Sequence, residues 1–259
     1  MVKPTAAKKH GRRSPGVKRP APPPFIWQRV LAVRPSRKLD YPSIVRAAVE
    51  IADQDGLEAL SMRKVASRLE AGAMSLYRYV ADKGELLDLI LDSAYGEIPL
   101  PHQSSGDWRR DIGQVARDTR KVLKEHPWLA PLVTMRPTLG PNYLRWFEVL
   151  LATTSAPGRE LRTQVRMIGT VWAYVTGFVG YEVGERETNR RHNLTEERKR
   201  ELAAPYVEQV LSTGRFPHLK AFIQTGVQPP TDQDFEFGLG VMLAGFRVAA
   251  QGAAWQEPA

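Results

Sequence analysis

The chain contains 259 residues, of which 42% are hydrophobic and 25% charged, as is ordinary for a soluble globular protein of one or two domains. Cysteine is absent, which excludes disulfides, thiolate catalysis and Cys-ligated metal clusters. The net charge of +9 is unevenly placed: residues 1–39 hold eleven Lys or Arg and no Asp or Glu, whereas residues 40–98 carry −5 and residues 99–259 carry +3. A basic segment on a near-neutral body points first to nucleic acid and second to an anionic membrane surface.

Residues 1–39 are predicted to be a basic, proline-rich and mostly disordered arm. Six of the first 24 residues are proline, with Lys and Arg between them, so this segment has too little apolar surface to offset its ordering entropy. We hypothesise that the arm follows phosphates or enters the minor groove, as homeodomain arms do; the alternative is a solvated tail. Phe25-Ile26-Trp27 either docks the root of the arm onto the body or stays loose. The candidate DNA contacts of the arm are Arg12, Arg13, Lys18 and Arg19.

Residues 40–98 are predicted to form four helices. Asp40 caps the first, which carries apolar residues at the helical spacing i, i+3, i+4 and i+7. Ser61 caps a short second helix, residues 73–79 form a short third one after a break at residues 70–72, and Asp82 opens the fourth with a D-x-x-E capping signature. Two short helices separated by three residues suggest a helix-turn-helix, in which the later helix enters the major groove of DNA.

The rest of the chain, residues 99–259, also shows helical periodicity and neither an alternating strand pattern nor an Asn-Gly hairpin, so the predicted fold is all-α. The highly charged residues 185–200 are interpreted as a mobile loop bordering a pocket or a dimer partner. The longest uncharged apolar run, residues 167–181, is shorter than the roughly 20 residues that a bilayer requires, and no signal peptide is visible. We therefore expect a cytoplasmic protein without a membrane partner. The predicted helices are 107–125, 128–134, 141–154, 158–186, 195–212, 217–224 and 232–250.

Three stretches of the helix-turn-helix have a distinctive pattern, namely Ile44-Val45-x-Ala47-Ala48, Leu60-Ser61-Met62-Arg63-x-Val65-Ala66 and Ser75-Leu76-Tyr77-x-Tyr79-Val80. Through them residues 40–98 resemble the DNA-binding domain of the TetR family of bacterial repressors. Residues 99–259 are similar to the C-terminal domain of the tetracycline-repressor subgroup, through Asp107-Trp108-Arg109, His126-Pro127-Trp128 and Gly140-Pro141-Asn142.

The resemblance implies a homodimer that binds a double-stranded operator and is released by a small-molecule effector. It implies a three-helix DNA-binding domain, joined by a fourth helix to a larger effector-binding and dimerisation domain, and no cofactor. In this pattern Arg63 reaches a base edge or a phosphate, Ala73, Met74 and Ser75 face bases, and Tyr77, Tyr79 and Lys83 contact phosphates.

Some of these residues also have a purely structural reading. Tyr77 could be packed in the core, Met74 could be an ordinary surface residue, and Arg63 could lie on a solvated helix face. Two residues depart from the family pattern, because Glu70 stands where members usually have Gly and Gly72 where they usually have a polar cap. Gly is a tolerated N-cap, so we expect the turn to persist with a shifted geometry.

Effector binding predicts a cavity for a large aromatic or hydrophobic ligand. The position of the family's tetracycline–magnesium histidine corresponds to Leu132, so we expect neither magnesium-tetracycline nor another metal. Glycines such as Gly177 and Gly238 suggest close helix packing in a dimer, with Gly238 placed in the interface. Seven residues are candidates for the cavity lining, with plain core packing as the alternative: Met135, Tyr143, Trp146, Phe147, Met167, Trp172 and Phe178.

Two alternatives to effector-controlled repression belong to other functional classes. An enzyme would need a catalytic constellation, and the chain has no HExxH, GxSxG, P-loop or dinucleotide motif. An effector-independent DNA-binding regulator or architectural protein is the stronger alternative.

Overall fold

The fold is built from α-helices, as predicted. The computed structural model describes residues 25–32, 39–136, 138–192, 195–225 and 231–250, and within these ranges there are twelve α-helices and no strand. The proposed arm contacts Arg12, Arg13, Lys18 and Arg19 lie outside the described residues. The helices are α1 Ile26–Ala32, α2 Tyr41–Asp55, α3 Met62–Arg68, α4 Ala73–Leu76, α5 Lys83–Glu97, α6 Trp108–Glu125, α7 Leu129–Met135, α8 Pro141–Thr154, α9 Leu161–His192, α10 Glu196–Ser212, α11 Pro217–Gln224 and α12 Asp232–Ala250.

The root of the predicted arm is a docked helix. Ile26 and Trp27 at the start of α1 are buried in the hydrophobic core, and the guanidinium of Arg29 is paired with the carboxylate of Glu85 on α5. The segment Phe25-Ile26-Trp27, for which docking and a loose conformation were both open, is therefore docked onto the body. The segment 26–32 belongs to the folded body, because Ile26 and Trp27 pack in its core, although Leu31 is 82% exposed.

The predicted caps of the helix-turn-helix are confirmed. The side chains of Asp40, Ser61 and Asp82 accept hydrogen bonds from backbone N–H groups three residues later, which satisfies donors that the first turn of a helix leaves unpaired. The third predicted helix is shorter than expected. α4 ends at Leu76 and is followed by a turn, so Tyr77 and Tyr79 lie beyond the helix.

The expectation of a loop over residues 185–200 was wrong for most of that range. α9 continues to His192, and α10 begins at Glu196. Residues 185–192 contain neither Gly nor Pro, so their high charge alone does not interrupt the helix.

The pair formed by α10 and α11 presents large apolar side chains to solvent. Leu202, Tyr206 and Phe222 are all more than half exposed, with Tyr206 at 70%. No residue of α11 is buried, so this helix leaves its apolar surface uncovered within the chain.

A buried carboxylate joins α5 to the start of α8. Asp92 on α5 is 3% exposed and accepts hydrogen bonds from the backbone N–H groups of Asn142 and Tyr143 and from the Asn142 side chain. Burial raises the pKa of Asp92, although these hydrogen bonds oppose the shift. Gly140 makes the approach possible, because a Cβ at this position would stand 2.1 Å from the Asp92 carboxylate oxygen.

We expect Gly140→Ala to lower the free energy of unfolding by about 2 kcal/mol or more, because the methyl group forces Asp92 off its backbone donors. Gly113→Ala in α6 is the matched control. Its Cβ would meet its nearest atoms, on Arg117 and Leu243, at 3.4 Å, so it should gain up to about 1 kcal/mol from helix propensity. Urea denaturation measures the free energy of unfolding of both variants. Equal stability of the two would show that Asp92 does not exclude a side chain at position 140.

Candidate functional site

Three residues of the predicted DNA-contact set project from the helix-turn-helix. Arg63 on α3 is exposed, Met74 on α4 is 78% exposed and Tyr77 in the following turn is 46% exposed. The two helices are anchored in the hydrophobic core, because Val65 on α3 and Leu76 on α4 are fully buried. A large exposed Met and Tyr on so short a segment contribute little to the core, which is typical of a binding surface.

The other predicted contacts are less exposed or already bonded. Ala73 and Ser75 are half-buried. The ring of Tyr79 packs edge-on against Tyr41, with 5.5 Å between centroids, and the Tyr41 hydroxyl donates a hydrogen bond to the Tyr79 carbonyl. Lys83 is exposed, and its Nζ donates to the carbonyl of Leu57 at 3.2 Å. The ring of Tyr79 therefore takes part in packing the turn against α2.

Glu70 occupies a backbone position that favours glycine. Its φ of +50° is the one positive value of a non-glycine residue in the described ranges. The N–H of Glu70 bonds to the carbonyl of Ser67, and the N–H of Ala71 bonds to the carbonyl of Ala66. This pair of bonds is a Schellman motif, which places its left-handed residue directly after the helix cap. Glu70 therefore keeps the turn between α3 and α4 and differs from the family pattern only in carrying a side chain at a left-handed position.

A pocket lies between α6, α8 and α9. It holds about 280 Å³ of empty space, part of it open to solvent. Its walls include Thr119 from α6, Trp146 from α8 and Trp172 from α9, and no charged side chain lines it.

A second pocket adjoins the first. It holds about 220 Å³ between α5, α6, α7 and α9 and shares Thr119 and Trp172 with the first pocket. Tyr95 of α5 lines it and stacks on Trp172, with ring centroids 5.6 Å apart. Neither Tyr95 nor Thr119 was among the sequence candidates, because α5 was assigned to the DNA-binding domain and a lone Thr on an apolar face carries no signal.

The structure separates the seven sequence candidates for the pocket. Trp146 and Trp172 line it, and Tyr143 and Phe147 stack beside Trp146 without lining it. Three candidates lie elsewhere: Met135 is 81% exposed, Met167 is buried but lines neither pocket, and Phe178 packs against Phe235 and Arg120.

His126 connects the end of α6 to the DNA-binding domain. It ends α6, and its ring nitrogens lie 2.7 Å from a carboxylate oxygen of Asp53 on α2 and 2.9 Å from one of Glu97 on α5. The indole N–H of Trp128 donates to the same Asp53 oxygen. The hydrogen bonds to Glu97 and Asp53 raise the pKa of His126 to about 9 despite its partial burial, so the imidazole is positively charged at neutral pH.

A second ionic cluster connects α6 to α9 and α12. The buried guanidinium of Arg120 donates two hydrogen bonds to Glu182 on α9 and one to Asp232 on α12. Lys124 also donates a hydrogen bond to Glu182. The guanidinium carbon of Arg120 lies 4.5 Å from the ring centroid of Phe235. Because Arg120 follows the pocket residue Thr119, a displacement of α6 at the pocket would also act on α9 and α12.

Both halves of the chain match known families. The model described as "Bacterial regulatory proteins, tetR family" matches residues 44–90, and that described as "Tetracyclin repressor-like, C-terminal domain" matches residues 100–250. The chain belongs to the TetR family. Its helix-turn-helix is accordingly that of a DNA-binding transcriptional regulator, which confirms the resemblance seen in the sequence.

Relatives within the TetR family cover most of the chain. The HTH-type transcriptional repressor DrrR1 of Streptomyces coeruleorubidus is 38% identical over 220 residues, which is 83% of this chain and 81% of that protein. An HTH-type transcriptional regulator of Saccharopolyspora erythraea is 45% identical over 139 residues, 54% of this chain and 59% of that protein. The TetR-family protein ActR of Streptomyces coelicolor, solved in complex with actinorhodin, is 27% identical with a TM-score of 0.69, covering 85% of this chain and all of ActR.

The described ranges lack two further kinds of feature. They contain no group of three or more His, Asp or Glu residues arranged to hold a metal ion. No helix among the described residues has the length and apolarity needed to cross a membrane.

We expect Glu70→Gly to raise the free energy of unfolding by about 1 kcal/mol, because glycine adopts positive φ without steric cost. Glu70→Gln removes the charge and keeps the strained backbone, so its stability should stay within about 0.5 kcal/mol of the parent chain. Thermal and urea denaturation compare the two. An equal gain from Gln would assign the effect to charge instead of backbone.

Proposed function

We propose that this TetR-family protein is a homodimeric repressor released from its operator by a neutral, hydrophobic or aromatic effector bound between α6, α8 and α9. The observation that carries the proposal is the position of α6, which lines both apolar pockets and ends at His126, hydrogen-bonded to α2 of the DNA-binding domain. The relative ActR has been crystallised with actinorhodin and with (S)-DNPA, so small-molecule binding by this fold supports the proposal.

Release requires that the effector bind the DNA-incompetent conformation more tightly than the DNA-bound one. Neither pocket has room for a drug-sized ligand while its side chains are packed as they are, because the space between them would admit little more than a water molecule. A large effector would therefore have to separate the Tyr95–Trp172 stack or push α6 outwards. Movement of α6 would displace His126 and with it Asp53 on α2, which changes the position of the helix-turn-helix.

The exposed residues of the helix-turn-helix are proposed to contact the operator. Arg63 would bond to a base edge or a phosphate, and Met74 would make an apolar contact such as one to a thymine methyl. Ala73 and Ser75 would approach the same bases. The hydroxyls of Tyr77 and Tyr79 and the ammonium of Lys83 would contact phosphates, which requires Lys83 to leave the carbonyl of Leu57.

Exposed small and apolar residues on α9 and α12 are proposed to form the dimer interface. On α9 a Cβ added at Gly169, Gly177 or Gly180 would meet no described atom within 4 Å, and on α12 Phe237 is 75% exposed. Gly238, which the sequence places in this interface, also packs against its own chain. A Cβ there would stand 2.3 Å from the hydroxyl of Tyr174 in the same chain, so Gly238 serves internal packing.

The first test selects operators from a random duplex pool with the full chain. We expect an inverted repeat bound by two copies, because a two-fold dimer reads two equivalent half-sites. Screening small aromatic compounds against the complex by electrophoretic shift should then identify compounds that release the DNA. The effector-independent or architectural alternative predicts DNA binding that no compound weakens. Selected DNA without two-fold symmetry would argue against the dimeric repressor.

The arm is proposed to supply the attraction for DNA that the acidic helix-turn-helix lacks. The ion pair between Arg29 and Glu85 fixes the arm's root beside the start of α5, close in sequence to Lys83. An arm that starts from this root would begin on the side of the domain proposed to meet phosphates.

Removing residues 1–24 should flatten the plot of log affinity against log salt by ~0.9 per lost phosphate contact. Alanine at Arg12, Arg13, Lys18 and Arg19 in the full-length chain is the matched variant, which keeps the length of the arm and removes four charges. Fluorescence anisotropy with the selected operator between low and physiological salt measures the slopes. If both variants keep the parent slope, the arm is a solvated tail.

A further inference from the structure

Trp146 carries a buried hydrogen-bond donor without an acceptor. Its side chain lies on α8 and is 4% exposed, and its indole Nε1 has no hydrogen-bond partner among the described residues. An indole N–H can only donate, and most buried polar groups in native proteins are paired. An unpaired group of this kind requires a specific explanation, such as an acceptor supplied by a ligand.

The surroundings of Trp146 favour a ligand as the source of that acceptor. Trp146 lines the first pocket together with aliphatic residues of α6 and α9. Aromatic rings surround it, with centroids at 5.0 Å for Trp172, 5.4 Å for Tyr95 and 5.9 Å for Tyr143. These rings offer faces and edges on which a flat aromatic molecule can stack.

The lining also limits the charge of the ligand. Neither pocket includes an Asp, Glu, Lys, Arg or His side chain. A carboxylate or ammonium group would enter without a counter-charge, at a high desolvation cost. The acceptor is therefore expected to be neutral, and a carbonyl oxygen in the plane of an aromatic ring system meets both requirements.

We propose that the Trp146 indole N–H selects the effector by donating a hydrogen bond to the carbonyl oxygen of a neutral, planar aromatic ketone. This inference rests on the proposed effector pocket and adds the chemical class of its ligand. The site distinguishes a ketone from a hydrocarbon of the same shape, because the hydrocarbon leaves the buried donor unpaired.

The test uses the full chain and two probes that share one ring skeleton, 9-fluorenone and fluorene. Fluorenone carries the carbonyl oxygen and fluorene does not. Isothermal titration should show about tenfold tighter binding of fluorenone, the difference expected for one neutral hydrogen bond. Trp146→Phe keeps an aromatic ring and removes the donor, so the two probes should bind this variant with equal affinity, whatever the smaller ring does to both affinities. Trp172→Phe is the matched control in the same pocket and should preserve the preference.

A measurement on the wild-type chain guards against a Trp146→Phe variant that fails to fold. The indole N–H resonance of Trp146 should move downfield with fluorenone and much less with fluorene. Equal affinity of the wild-type chain for the two probes, or binding of neither, would overturn the inference. So would a preference for fluorenone that survives in Trp146→Phe. None of these results bears on operator release by compounds of other chemistry, which tests the proposed function separately.

Discussion

The contact of His126 with two carboxylates joins the two halves of the molecule, together with the contact of Asp92 on α5 with the start of α8. One carboxylate lies on α2 and the other at the end of α5, while the imidazole ends α6. The pKa of His126 is raised to about 9, so the stabilisation is complete below the ordinary value of about 6.5 and is lost as the pH rises through 9. At neutral pH the contact is therefore ionic. In the proposed mechanism, the orientation of the DNA-binding domain would depend on the position of α6 at the pocket.

Local features of the fold could be predicted from sequence because their causes lie within a few residues. Asp40, Ser61 and Asp82 each cap a helix through a backbone N–H three positions away. The helix-turn-helix follows from the two short helices that lie between Ser61 and Asp82. The docking of α1 could not be predicted, because the partner of Arg29 is Glu85, 56 positions along the chain. Periodicity places an apolar residue on an inner face but does not say which neighbour it meets.

The candidate site illustrates the same limit. Trp146, Trp172 and Phe178 are all inward aromatics, yet only the two tryptophans line the pocket, while Phe178 meets Phe235 and Arg120. Gly238 was assigned to the dimer interface by its residue type, and Tyr174 of the same chain occupies the space that a side chain would need. The missing information in each case is the packing of helices that are distant in sequence.

Charge is arranged differently in the two parts of the protein that are proposed to meet DNA. Among the six basic residues of residues 40–98, Lys64 is paired with Asp55 and Arg68 with Glu50, so the folded domain uses part of its own positive charge internally. Exposed pairs of this kind contribute little to stability, but they lower the positive potential available to phosphates. In the proposed mode of binding, selectivity would depend on the few exposed side chains of the helix-turn-helix, and non-specific attraction would depend on the arm.

In the proposed dimer, the uncovered apolar surface of α10, α11 and α12 would link folding to protein concentration. In an isolated copy, side chains such as Tyr206, Phe222 and Phe237 remain in water. In the proposed dimer, covering any of this surface would add to the stability of each copy by mass action. The number of molecules per cell would then set the fraction of folded protein as well as operator occupancy. A repressor of this design would lose activity more steeply on dilution than its affinity for DNA alone would require.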